Sequence, residues 1–244
     1  MRLIAIGVAL LSSVSVAPQA TPAPVGAVAA PDAAADAIAE LLANDATVLA
    51  QTRRLLQTQL PAALESDPDM QAMEKQWPGV TAEFIKLVEP IITASLTSQL
   101  PAYRRDVAAV FARRMTPDEL KTTYDFYASP AGQRLMASAL TGVDVTDMLR
   151  KQIKAGESAE VSGADISNAV RPGAQSALNA LDTDDQMRLM AFTMTSAGRK
   201  MEAINPQLMQ LAARLNNERS PDAEKQIGQV VEQLIAQRMA AGGK

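Results

Sequence analysis

Four groups of residues in this 244-residue chain have types and spacings that can do chemistry. The first is Ser129-Pro130-Ala131-Gly132, with Arg134 close behind. A Ser cap followed by Pro presents free backbone N–H groups and a positive helix end behind a small surface. With a guanidinium nearby, that arrangement can hold a phosphate or carboxylate. A lone helix N-terminus is a weak signal, and capping with close packing is the favoured explanation of the same residues. The second group is Tyr124 and Tyr127, one helical turn apart, which with Tyr103 and Trp77 make up the polar aromatics. They offer either a ligand surface or a core edge with hydrated hydroxyls. The candidate binding residues are therefore Tyr124, Tyr127, Ser129, Gly132 and Arg134.

The third group is Met187, Met190, Met194 and Met201, all able to line one helical face. Thioethers are soft donors suited to Cu(I). The interleaved Leu189, Ala191 and Phe192 make that helix apolar on nearly every side, so the expectation is a central core helix with Met as gap filler. The fourth group, Asp182, Asp184 and Asp185, lacks the oxygen-ligand spacing and turn Gly of a Ca²⁺ loop, and helix capping accounts for all three. No catalytic residue, metal site or cofactor follows from these patterns.

Composition narrows the chemistry further. The chain has no Cys, which removes disulfides, a thiol nucleophile and the lipid-bearing Cys of a lipoprotein. It has no His, which removes the usual neutral-pH base and the commonest metal ligand. A formal charge of −4, with Lys and Arg no denser than pairs such as Arg104-Arg105, argues against nucleic acid as a partner. Hydrophobic residues reach 48% while aromatics are only 3%, so the apolar content is aliphatic and favours helices.

These residues must be positioned by helices whose starts are legible. Thr116-Pro117-Asp118-Glu119 has a capping Thr, a Pro at the first helical position and a Glu placed for a capping box. Ser129-Pro130 and Ser220-Pro221 repeat the Ser cap and Pro start. Apolar residues recur at helical steps from Asp32 through Leu56, again from Phe84 to Leu96, and from Ile227 to Met239. Pro90 is expected to kink or break the second of these runs, and Pro101 suits a first helical turn. The last run is expected to cap the bundle.

At the N-terminus, Met1-Arg2 followed by apolar Leu3 to Val16 has the form of a secretory signal, too short to span a membrane. Cleavage is expected after Ala20. Pro22, Pro24 and Pro31 then mark a Pro/Ala linker. The mature chain has no apolar stretch long enough for a transmembrane segment, so a periplasmic or secreted protein is expected, and not a lipoprotein.

Sliding the chain against itself by 66 residues places Thr116 to Glu119 on Asp182 to Asp185, Phe126 on Phe192, Ser129 on Thr195, Gly132 on Gly198 and Arg134 on Lys200. The pattern is that of an internal repeat, each copy reading as helix, cap, helix. Gly in the first turn of each second helix lets two backbones approach closely.

Around Phe111-Ala-Arg-Arg-Met-Thr-Pro-Asp-Glu-Leu120 and Tyr124-Asp-Phe-Tyr-Ala-Ser-Pro-Ala-Gly132 the sequence resembles the bacterial family called domain of unknown function 2059. Members of that family carry a similar F-T-x-x-E-L, F-Y-x-S-P-x-G pattern behind a signal peptide, and Met115 stands here where the pattern has Phe. The resemblance implies a helical envelope domain and supplies no catalytic residues.

The expected fold is all-α, an antiparallel helical bundle or array with two related helical hairpins. The expected division is a signal peptide over 1–20, a linker over 21–31, an N-terminal helical segment over 32–100, a first repeat over 101–155, and a second repeat with the C-terminal helix over 164–241. The expected function is a non-catalytic binding module for an envelope protein or an apolar small ligand, received in a groove between hairpins. The alternatives are a hydrolytic enzyme working without His or Cys, and a structural protein that self-associates as a homodimer.

Overall fold

The structure, a computed structural model, describes residues 33–155, 160–218 and 220–242. The signal peptide expected over 1–20 and the linker expected over 21–31 lie outside the described residues. Among the described residues every regular element is a helix: α1 Ala33–Leu42, α2 Asp45–Leu64, α3 Pro68–Gln76, α4 Val80–Arg114, α5 Pro117–Ala128, α6 Pro130–Thr141, α7 Thr146–Ala155, α8 Gly163–Ala180, α9 Thr183–Met194, α10 Ser196–Asn217 and α11 Pro221–Gly242. The fold is all-α.

Helix α4, at 35 residues, is the hub. It packs against α1, α2, α3, α10 and α11, and buries residues from Val80 to Phe111 along its whole length. Pro90 and Pro101 both lie inside it, so Pro90 does not break the helix and Pro101 does not start a new one. Each removes a helical hydrogen bond at a cost of about 3 kcal/mol. Burial on either side of each proline offsets that loss: Val88 and Ile92 flank Pro90, and Leu100 and Tyr103 flank Pro101. Because α4 runs unbroken through residues 100 and 101, no element boundary falls there.

Two large apolar clusters share this hub. One joins the second half of α2 and the first half of α4 to α7, α8 and α11, through residues such as Leu56, Val88, Leu149, Ile166 and Ile227. The other joins α1 and the second half of α4 to α5 and α10, through Ile38, Leu100, Phe111, Leu120 and Ile204. Helix α11 docks on α4 through Ala223, Ile227 and Leu234, while Val231 and Met239 stay exposed.

Polar side chains fix the chain end of α6. Gln51 Nε2 donates to Leu140 O at 2.9 Å, and Arg54 Nη2 donates to Thr141 O at 2.5 Å. Gln59 donates to Val143 O and accepts from Val145 N, at 2.6 and 2.7 Å. These bonds satisfy carbonyls that the helix end leaves open and tie the turn after α6 to α2. Helices α6 and α8 cross at glycine: a Cβ on Gly173 would lie 2.2 Å from Ala139 O.

Candidate functional site

The corner between α5 and α6 follows from local chemistry. Thr116 caps α5 by accepting from Glu119 N, while Glu119 Oε2 accepts from Thr116 N at 2.7 Å, which completes the capping box. Ser129 ends α5 and caps α6: its Oγ donates to Phe126 O at 2.6 Å and accepts from Gly132 N at 3.2 Å. A Cβ on Gly132 would sit 2.2 Å from Phe126 O, so only Gly permits this tight turn.

The corner between α9 and α10 has the same geometry. Thr195 Oγ1 donates to Phe192 O at 2.6 Å and accepts from Gly198 N at 3.0 Å, and a Cβ on Gly198 would meet Phe192 O at 2.2 Å. Asp182 caps α9 by accepting from Asp185 N.

The two corners face each other. Phe126 stacks on Phe192 with ring centroids 4.2 Å apart, and Tyr127 meets both rings edge on. On one side, Glu119 accepts from Lys200 Nζ at 2.6 Å and from Ser196 Oγ at 2.5 Å. On the other, Arg134 grips Asp185 through two bonds, at 2.5 and 2.6 Å. The Lys200, Ser196 and Thr116 hydrogen bonds hold the Glu119 carboxyl down to about 2. The Arg134 guanidinium likewise keeps Asp185 below the usual carboxylate range, against the opposing effect of burial.

The candidate binding residues therefore separate. Ser129 and Gly132 build the corner, and the Ser129 side chain already occupies the helix N-terminus. Arg134 is committed to Asp185, so the anion site suggested by the sequence lacks its cation. Tyr127 is buried, which raises its hydroxyl well above the usual range. Tyr124 is exposed over 40% of its surface and lines an open groove. The space between the hairpins, where a binding groove was expected, is filled by stacked rings.

A groove opens instead on the other side of α5, toward α1 and α2. It has a volume of about 480 Å³. Leu41, Met136, Ala137 and Leu140 give it an apolar lining, with Glu40, Asn44, Thr47 and Gln133 as polar neighbours and Tyr124 from α5. Three of the polar lining groups are already engaged: Glu40 pairs with Arg104 at 3.1 Å, Asn44 caps α2 by accepting from Ala46 N and Thr47 N, and Gln133 Nε2 donates to Tyr127 O at 3.0 Å. The remaining surface suits a largely apolar guest with one or two polar groups. None of the acids held below their usual range lines this groove. The sequence singled out Tyr124, whereas Leu41, Met136 and Leu140 carry no local sign that they line a groove.

The methionines of α9 depart from expectation. Met187, Met190 and Met194 are exposed at 57%, 61% and 69%, and only Met201, beyond the corner on α10, is buried. The buried face of α9 is carried by Asp185, Leu189 and Phe192. Helix α9 is a surface helix, and the core reading of its methionines is corrected.

Fold and groove together define an all-α helical module built around a long hub helix and carrying an open amphiphilic groove. Residues 103–141 match the family described as "Uncharacterized protein conserved in bacteria (DUF2059)", which agrees with the resemblance read from the sequence. That stretch contains the α5–α6 corner and half of the groove lining, from Tyr124 to Leu140. No curated protein matches the chain, and no solved structure matches it.

Proposed function

We propose that this chain is an exported, non-catalytic binding module whose groove between α1, α2, α5 and α6 receives an apolar small ligand. The observation that carries this reading is the groove itself. Its volume of about 480 Å³ lies within the roughly 300–1,000 Å³ of small-molecule sites, and its lining is mainly aliphatic with a few convergent polar groups. The chain's lack of His and Cys favours binding over hydrolysis. Among the described residues no helix is long and apolar enough to cross a membrane. Export rests on the Met1-Arg2 and Leu3 to Val16 pattern, with processing after Ala20.

Photocrosslinking in cells tests the site. A benzophenone amino acid placed at Tyr124 is expected to form a small-molecule adduct, and one placed at exposed Leu178 on α8 is not. A protein adduct at position 124 would replace the ligand with an envelope partner, and equal labelling at both positions would remove the groove as a site. N-terminal sequencing of the chain recovered from the periplasmic fraction tests export.

A further inference from the structure

We propose that Met187, Met190 and Met194 form a soft-metal site on α9 that takes a single Cu(I). At about 100° per residue these three positions fall within an arc of roughly 60°, opposite the buried Asp185, Leu189 and Phe192. Met187 and Met194 are about 10 Å apart along the axis with Met190 between them, and three rotatable bonds let the outer thioethers turn inward.

Packing does not explain these side chains. All three are more than half exposed, and α9 packs mainly against α10 and α6 with its other face. The matching positions on α5, at the offset of 66, are Lys121, Tyr124 and Ala128, so the hairpin scaffold does not require thioethers there. Free of Cys and His, the chain offers a soft cation no stronger donor set than clustered thioethers. Arg199, five residues beyond Met194, donates from its Nη1 to the Met194 carbonyl at 2.6 Å, and Arg188, within the span of the stripe, acts on the buried Asp185 carboxylate.

Thioethers carry no proton, so the site should bind equally well in acid and at neutral pH, unlike thiolate, imidazole or carboxylate sites, which must first lose one. The test is anaerobic titration of the full chain with Cu(I) held by a chromogenic chelator. The native chain is expected to withdraw one metal ion, equally at pH 5 and pH 7.5. The Met187→Leu/Met190→Leu/Met194→Leu variant, whose volume-conserving changes lie on an exposed face, is expected to fold normally and leave the metal with the chelator. With Ag(I) as a redox-inert probe, only three of the methionine ε-methyl NMR signals should shift. Failure of the native chain to compete, undiminished binding by the triple variant, or shifts confined to other methionines would each overturn the site.

Discussion

Phe126 and Phe192 lie face to face, their planes 5° from parallel, and each stands at the last turn of a 12-residue helix that ends on a hydroxyl cap. Around that stack, Glu119 of one hairpin holds Lys200 of the other, while Arg134 of the first holds Asp185 of the second. The pairs are reciprocal: acid and base exchange places at the same offset in the chain. Hairpins joined this way position α5 so that its opposite side, at Tyr124, faces α1.

The stack should be a point of high stability. Phe192→Ala removes a buried ring and is expected to cost about 3–5 kcal/mol in urea unfolding. A cycle of Phe126→Leu and Phe192→Leu should show a coupling of about 0.5–1.5 kcal/mol. Additive changes would mean that the rings touch without supporting each other.

Gly132→Ala and Gly198→Ala each drive a Cβ to within 2.2 Å of a carbonyl oxygen. Although Ala gains up to about 1 kcal/mol in helix propensity, the forced backbone shift is expected to dominate, at about 1–3 kcal/mol of net destabilisation. A lowered Tm for both variants is the check. Gly228, with nothing near its would-be Cβ, should accept Ala and gain stability.

Acid should loosen the hairpin pair in a defined window. Glu119 has its folded value lowered from 4.5 to about 2, so it binds fewer protons folded than unfolded. Its contribution is fully present above about pH 4.5 and is lost as pH falls toward 2. Glu119→Gln is expected to be less stable than the native chain at pH 6, with the gap closing across that window. A pH-independent gap would contradict the ion-pair account.

Arg134→Ala leaves the Asp185 carboxylate buried without its partner, because the Asp185 side chain is only 3% exposed. It should destabilise the chain more than Arg134→Ala combined with Asp185→Ala, measured as a partial recovery of Tm in the double variant.

The parts of this fold readable from sequence are those fixed by short-range hydrogen bonding. Thr116-Pro117 and Ser129-Pro130 start helices where their caps and prolines place them, because the partner N–H is only three residues away. Features set by distant contacts did not read. Pro90 and Pro101 signal breaks locally, yet the packing of α4 on five neighbours carries the helix through both. Arg134 looks free in sequence because its partner is 51 residues away. Methionine is apolar wherever it lies, so the pattern of α9 did not show that Leu189 and Phe192 face the core while Met187, Met190 and Met194 face outward. The groove needs α1 to lie beside α5, a pairing without a local signature.

The most direct measurement is native mass spectrometry of the chain purified gently from its own host extract, alongside a Tyr124→Ala/Met136→Ser variant of the groove. A small mass retained by the native chain and lost from the variant is the expected result. A bare native chain, or a mass that the variant keeps, would contradict a ligand held in the groove between α1, α2, α5 and α6.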